Sequence, residues 1–142
     1  MKKAIIITLL FSFGVLQTMA QKAVVPKITF EETTFNFDTI MQNGNGEHVF
    51  RFTNTGDAPL LITSAFSSCG CVVPEWPKEP IAPQASGSIK VKYNTSKLGL
   101  FTKVIVVKSN DKKTPKTILR LNGIVVEAKE RKQTRNETKQ VK

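Results

Sequence analysis

The sequence predicts an all-β chain folded as an antiparallel β-sandwich, on three observations. Apolar and polar residues alternate with period two through several short segments. Clusters of Gly, Pro, Asn and Asp punctuate those segments about every eight to twelve residues, and no amphipathic helical repeat stands between them. A 142-residue chain is long enough for one domain and short for two.

The elements follow in order. Lys27 to Glu31 alternates with Ile28 and Phe30 on one face, and Thr34 to Ile40 alternates again with Phe35 and Phe37 together. Asn43-Gly44-Asn45-Gly46 is a turn, because Asn and Gly tolerate positive φ. Glu47 to Asn54 then places His48, Phe50 and Phe52 on one face, and Thr55 to Pro59 turns the chain. Leu60 to Phe66 is the strand that leads into Ser67-Ser68-Cys69-Gly70-Cys71. Pro74, Pro77, Pro80 and Pro83 make the next stretch an irregular connection or a sheet edge, because proline donates no ladder hydrogen bond. Trp76 within it is suited to capping the end of the core.

Gly87 to Asn94 points Ile89, Val91 and Tyr93 inward and Ser88, Lys90 and Lys92 outward. Phe101 to Lys108 contains the apolar run Val104 to Val107, which suits a central strand buried on both faces. Thr117 to Val126 is the last strand, and Gly123 inside it signals a bulge or a close backbone approach. Seven or eight short strands so spaced predict an immunoglobulin-like sandwich. Cys69 and Cys71 are too near in sequence to form an inter-sheet disulfide, so the core is expected to rest on the aliphatic strands and on Phe30, Phe35, Phe37, Phe50, Phe52, Phe66 and Phe101.

The two ends differ from the middle. Residues 1–20 have the form of a signal peptide. Lys2 and Lys3 precede the apolar run Ala4 to Leu16, too short for a bilayer span, and Thr18-Met19-Ala20 puts small residues at a cleavage site before Gln21. The expected domains are therefore the signal at 1–20, the sandwich at 21–126 and a charged tail at 127–142. That tail has almost nothing apolar to bury, so disorder is its default and a tether to an anionic surface its functional alternative. The formal net charge of +10, about half of it in the signal and the tail, favours anionic partners. Export makes nucleic acid the poorest of these, and no transmembrane span is expected after cleavage.

Phe35-Asn36-Phe37-Asp38-Thr39-Ile40, Gly46, Phe50-Arg51-Phe52-Thr53-Asn54-Thr55-Gly56 and Pro59-Leu60-Leu61-Ile62 form one ordered set of motifs. Ser68-Cys69-Gly70-Cys71, Ile81-Ala82-Pro83, Gly99-Leu100-Phe101-Thr102-Lys103, Ser109-Asn110 and Leu121-Asn122-Gly123 continue it. In this order they resemble the bacterial domain-of-unknown-function family 1573 over roughly Phe35 to Val126. The resemblance implies an immunoglobulin-like sandwich akin to Hydin-type and major-sperm-protein-like domains, exported in a Gram-negative bacterium to the periplasm or cell surface. It implies no activity, substrate or catalytic residue.

The chemically distinctive step is Cys69-Gly70-Cys71, flanked by Ser68 and followed by Trp76. Cysteines at i and i+2 on an extended strand lie about 6.5–7 Å apart, whereas a disulfide needs Cβ atoms at roughly 3.5–4.5 Å. A bridge would thus need a tight turn, which Gly70 permits. Four readings stay open: two small apolar side chains packed under Trp76 and Pro74, a local disulfide of structural or redox use, a thiolate metal site, and linkage to another chain. A closed zinc site wants four ligands, and the lone His48 reads better as a satisfied residue at a strand edge. With no nucleophile–base motif, metal helix motif or phosphate loop, no catalytic residue and no cofactor are expected. The sequence therefore predicts an exported, non-enzymatic module that binds or scaffolds an envelope protein or glycan. The alternative is a thiol-redox or metal-handling protein using Cys69 and Cys71.

Overall fold

A computed structural model describes residues 23–128. The expected signal at 1–20 and most of the expected tail at 127–142 lie outside this range. Eight strands form two four-stranded sheets: β1 (Ile28–Phe30), β2 (Thr34–Met41), β3 (Glu47–Asn54), β4 (Ile62–Ser67), β5 (Val72–Glu75), β6 (Ser86–Tyr93), β7 (Gly99–Ser109) and β8 (Lys116–Val126). The first sheet has the order β1-β3-β6-β5 and the second β2-β8-β7-β4. No helix among the described residues is long and apolar enough to cross a membrane.

The period-two pattern decides which side of each strand is buried. Phe50 and Phe52 of β3, Ile89 and Val91 of β6, Ile105 and Val107 of β7, and Leu119, Leu121 and Val125 of β8 meet between the sheets almost without solvent contact. Burial of each such side chain is worth about 1.5–3 kcal/mol. Their summed contribution is the main force holding the two layers together.

The structure departs from the sequence reading at three places and bears out the sheet edge expected in the proline-rich stretch. Phe66, expected in the core, points outward from β4 and is 45% exposed. It pairs across the ladder with Val106, whereas Ala65 and Val107 take the inward row. Val104 and Val106 are likewise only half-buried, so β7 is central in its sheet yet covered fully on one face. The proline-rich stretch begins with a strand, β5, that pairs with β6 from Val72 to Glu75. Pro74 is tolerated there because β5 is an edge strand with a neighbour on one side.

The third departure concerns pairing direction. All strand pairs are antiparallel except β2–β8, which run parallel. Their register shifts between Asn36 and Thr39, so Phe37 and Asp38 bulge out opposite Gly123, and Asp38 takes φ 54°. Gly123 itself sits in regular register with Phe101 on β7. Its lack of a side chain admits the Phe101 ring, since a Cβ would lie 2.8 Å from Phe101 Cζ.

The chain changes sheet at both open sides of the sandwich. Residues 31–33 carry it from β1 to β2 on one side, and residues 68–71 carry it from β4 to β5 on the other. The Cys-Gly-Cys step is therefore the crossing itself, laid over an edge of the sandwich.

Candidate functional site

Cys69 and Cys71 are joined to each other by a disulfide, with their Cα atoms 5.2 Å apart. The backbone has contracted from the 6.5–7 Å that an extended strand would give. Both residues are half-buried and pack against the edge of the core, while Ser68 and Gly70 are exposed. Gly70 has no left-handed φ, and a Cβ placed on it would meet nothing within 4 Å. Among the described residues no three His, Cys, Asp or Glu side chains come together as a metal site. Trp76 is half-buried against the core, and Lys78 Nζ lies 3.1 Å above its ring centroid.

Two neighbours give the two sulfurs different surroundings. The Ser67 hydroxyl donates to the Val104 carbonyl at 3.0 Å and lies 3.6 Å from Cys69 Sγ. The Asn94 N–H donates to the Cys71 carbonyl at 2.8 Å, tying Cys71 to the end of β6. Cys71 and Gly70 then line an open cleft of about 560 Å³, whose far wall is the Asn43-Gly44-Asn45-Gly46 turn and whose floor includes Tyr93 and Asn94. Gly46 is what lets this turn sit so close, because a Cβ there would strike the Tyr93 carbonyl oxygen. Thr95 locks the wall with a 2.8 Å hydrogen bond from its hydroxyl to the Gly44 carbonyl.

Sequence reasoning singled out the cysteines and the turn separately. It missed that they face each other and that Ser67 stands beside one sulfur. Only the pairing of β6 with both β3 and β5 brings the two loops together.

Chain-entropy reasoning assigns a small structural value to this bond. Closing a loop of three residues contributes about 1.6 kcal/mol, against about 4.7 kcal/mol for a loop of a hundred. The bridge is placed where it restrains one crossing, not the whole fold.

A second surface feature lies on the outer face of the second sheet. Phe66, Val106 and Ile118 form one row across β4, β7 and β8, with Phe66 45% and Ile118 44% exposed. The rows on either side carry Lys108 and Lys116, and Val104 and Arg120. Lys108 Nζ stands 5.4 Å from the Phe66 ring centroid. The β7–β8 turn adds Lys112 and Lys113. Asp111, in the same turn, directs its carboxylate inward to accept from the N–H groups of Ile28, Lys113 and Thr114. The result is an apolar row with cations on both sides and no carboxylate among the residues that flank it.

Comparison with known proteins bears on the fold and the family. The sequence profile of the family described as "Protein of unknown function (DUF1573)" matches residues 28–125. The chain belongs to the DUF1573 family. No curated protein matches this DUF1573 chain in sequence. Its fold is similar to a protein of unknown function from Porphyromonas gingivalis W83, with a TM-score of 0.64 and 13% identity. That match covers 76% of this chain and 51% of the other, so the chain spans about half of that relative. The ASH/PapD-like domain of human CEP192 gives a TM-score of 0.57 at 13% identity, covering 82% of this chain and 97% of that one. The YadV chaperone gives 0.52 at 17% identity, covering 72% and 53%. These likenesses show an immunoglobulin-like sandwich fold for this DUF1573 member.

Proposed function

We propose that this DUF1573 protein is an exported, non-enzymatic binding module that docks an acidic envelope protein. The observation that carries this reading is the outer face of the second sheet. Solvated Lys and Arg rows alone would be an ordinary soluble surface. Here they border Phe66 and Ile118, which lose hydration favourably only when covered. An apolar centre with a charged rim is the anatomy of a protein interface, and the sign of the rim selects a partner carrying Asp and Glu. The side chains lie flat on a sheet and do not project from a loop tip, which suits a protein surface better than insertion into a bilayer. The PapD-like architecture, shared with a chaperone, is in keeping with protein binding. The leader-like residues 1–20 and a disulfide, which persists in oxidising compartments, support export.

The test compares the wild-type chain with a Lys108→Glu/Lys116→Glu/Arg120→Glu chain as bait against envelope extract, with crosslinking at two salt concentrations. Specific, acidic proteins captured by the wild type, lost in the variant and weakened by salt support the reading. Equal capture by both baits overturns it. Binding to vesicles containing phosphatidylglycerol, with no protein captured, would assign the face to a membrane instead. Export is checked separately by N-terminal sequencing of the periplasmic chain, which should begin at Gln21.

A further inference from the structure

The disulfide crossing and the cleft beside it form a site that the binding face does not use. We propose that Cys69–Cys71 is an exchangeable disulfide that accepts electrons from a protein dithiol, attacked at Cys71 from the cleft.

Four observations carry this. Cys71 is among the residues that line the cleft and Cys69 is not, which places the cleft on the Cys71 side of the bond. Gly70 is exposed at the crossing, and neither a left-handed φ nor a contact with any residue beyond its chain neighbours requires a glycine there. Cys71 is anchored through its carbonyl to Asn94, which holds the attacked residue in place while the Cys69 side chain departs. Finally, the Ser67 hydroxyl spends its proton on the Val104 carbonyl, which leaves an oxygen lone pair facing Cys69 Sγ. A disulfide sulfur has no proton to give it, whereas a Cys69 thiol does. Ser67 thus offers the reduced state a partner that the oxidised state cannot use.

The exchange balances as follows. A substrate thiolate attacks Cys71 Sγ, forming a mixed disulfide as the Cys69–Cys71 bond breaks. The electron pair leaves on Cys69 Sγ, which takes a proton and donates it to Ser67 Oγ as a hydrogen bond. The second substrate thiolate then attacks the substrate sulfur of the mixed disulfide and expels the Cys71 thiolate, which takes a proton. The substrate dithiol loses two electrons and two protons and becomes a disulfide. The chain gains both and holds two thiols, one turnover per chain. The protons are exchanged with water, so the step requires no side-chain acid or base.

The test uses the full mature chain, purified oxidised, and a reduced Cys-Gly-Pro-Cys peptide as the dithiol probe. After quenching with an alkylating agent, intact mass reads the products. One equivalent of peptide disulfide, formed at neutral pH without denaturant, is the expected result. A bond that opens only in urea, or only as fast as the chain globally unfolds, overturns the proposal. Single-cysteine chains then locate the attack. With oxidised glutathione, Cys69→Ser should form an adduct on Cys71 at least tenfold faster than Cys71→Ser forms one on Cys69, and equal rates overturn the assignment. Gly70→Val should slow reduction several-fold at unchanged melting temperature. If the single-cysteine chains do not fold, the wild-type and Gly70→Val rates decide the matter. These outcomes are independent of the acidic-partner test, which alters other residues.

Discussion

Asn54 satisfies four backbone groups with one amide. Its Oδ1 accepts from the N–H groups of Lys27 and Gly56, and its Nδ2 donates to the carbonyls of Ala58 and Ile81 at 2.8 and 3.0 Å. The residue is fully buried, so these bonds tie β1, the β3–β4 turn and the segment before β6 to one point. Asn54→Leu strands the partners out of reach of water and should cost about 2–4 kcal/mol, read as a lower urea midpoint. Asn54→Asp should not restore stability, because its second oxygen would face two carbonyl oxygens. His48 is the other residue with a clear consequence. It stacks on Phe35 with ring centroids 3.6 Å apart, and its Nε2 lies 2.9 Å from Glu32 Oε1. Burial lowers its pKa below the ordinary value, with Glu32 opposing in part. The unfolded chain therefore takes up the proton first as pH falls through about 6.5. Stability should be full above that pH and decline as acid carries the solution toward the folded pKa. It is the one histidine in the chain, so a His48→Gln variant should lose that slope in melting temperature between pH 7.5 and 5.5.

The β2–β8 pairing is the element on which the second sheet's edge depends. β2 bulges at Phe37 and Asp38 opposite Gly123, and the Phe101 ring from β7 fills the space that a side chain on Gly123 would take. Phe101 in turn stacks on Tyr93 of the first sheet at 3.9 Å and meets Phe37 at 6.2 Å. One missing Cβ thus lets an aromatic bridge form between the layers. Gly123→Val should force Phe101 off its rotamer and cost about 1–3 kcal/mol by thermal or urea unfolding. Adding Phe101→Leu in the same chain should recover part of the loss. No recovery would mean that the strain lies in the backbone and not against the ring.

Across the whole molecule, the disulfide is a minor stabiliser and the sandwich core the major one. Reducing the bond in a folded chain should leave the two-sheet core in place, with a loss near the ~1.6 kcal/mol expected for so short a loop. Near-ultraviolet circular dichroism before and after reduction checks this. A collapse of tertiary signal would show that the β4–β5 crossing is needed for the sheets to stay together. The same separation of roles would let the proposed binding and the proposed exchange share one small scaffold. The basic face is built on the β4, β7 and β8 ladder, while the cleft is built from loops at the ends of strands.

The sequence alone determined the strands, because burial on one side of a sheet imposes a period of two that local composition displays directly. Glu47–Asn54 was legible residue for residue, as were the inward sets of β6 and most of β3. It also marked Cys69-Gly70-Cys71 as unusual, and Gly123 as a bulge or a close backbone approach, where the structure instead packs the Phe101 ring against it. Which strands became neighbours was decided only in three dimensions, because pairing depends on residues far apart in the chain. That is why Phe66 reads as a core residue in the sequence: strict alternation from the buried Ile62 would point it inward, but the register shift between Ile62 and Ser64 changes the phase and turns Phe66 out. For the same reason the parallel β2–β8 pair, the buried Asn54 hub and the cleft between the Asn-Gly turn and Cys71 could not be read in advance. Each is made by contacts between segments tens of residues apart, and only the packed sandwich brings them together.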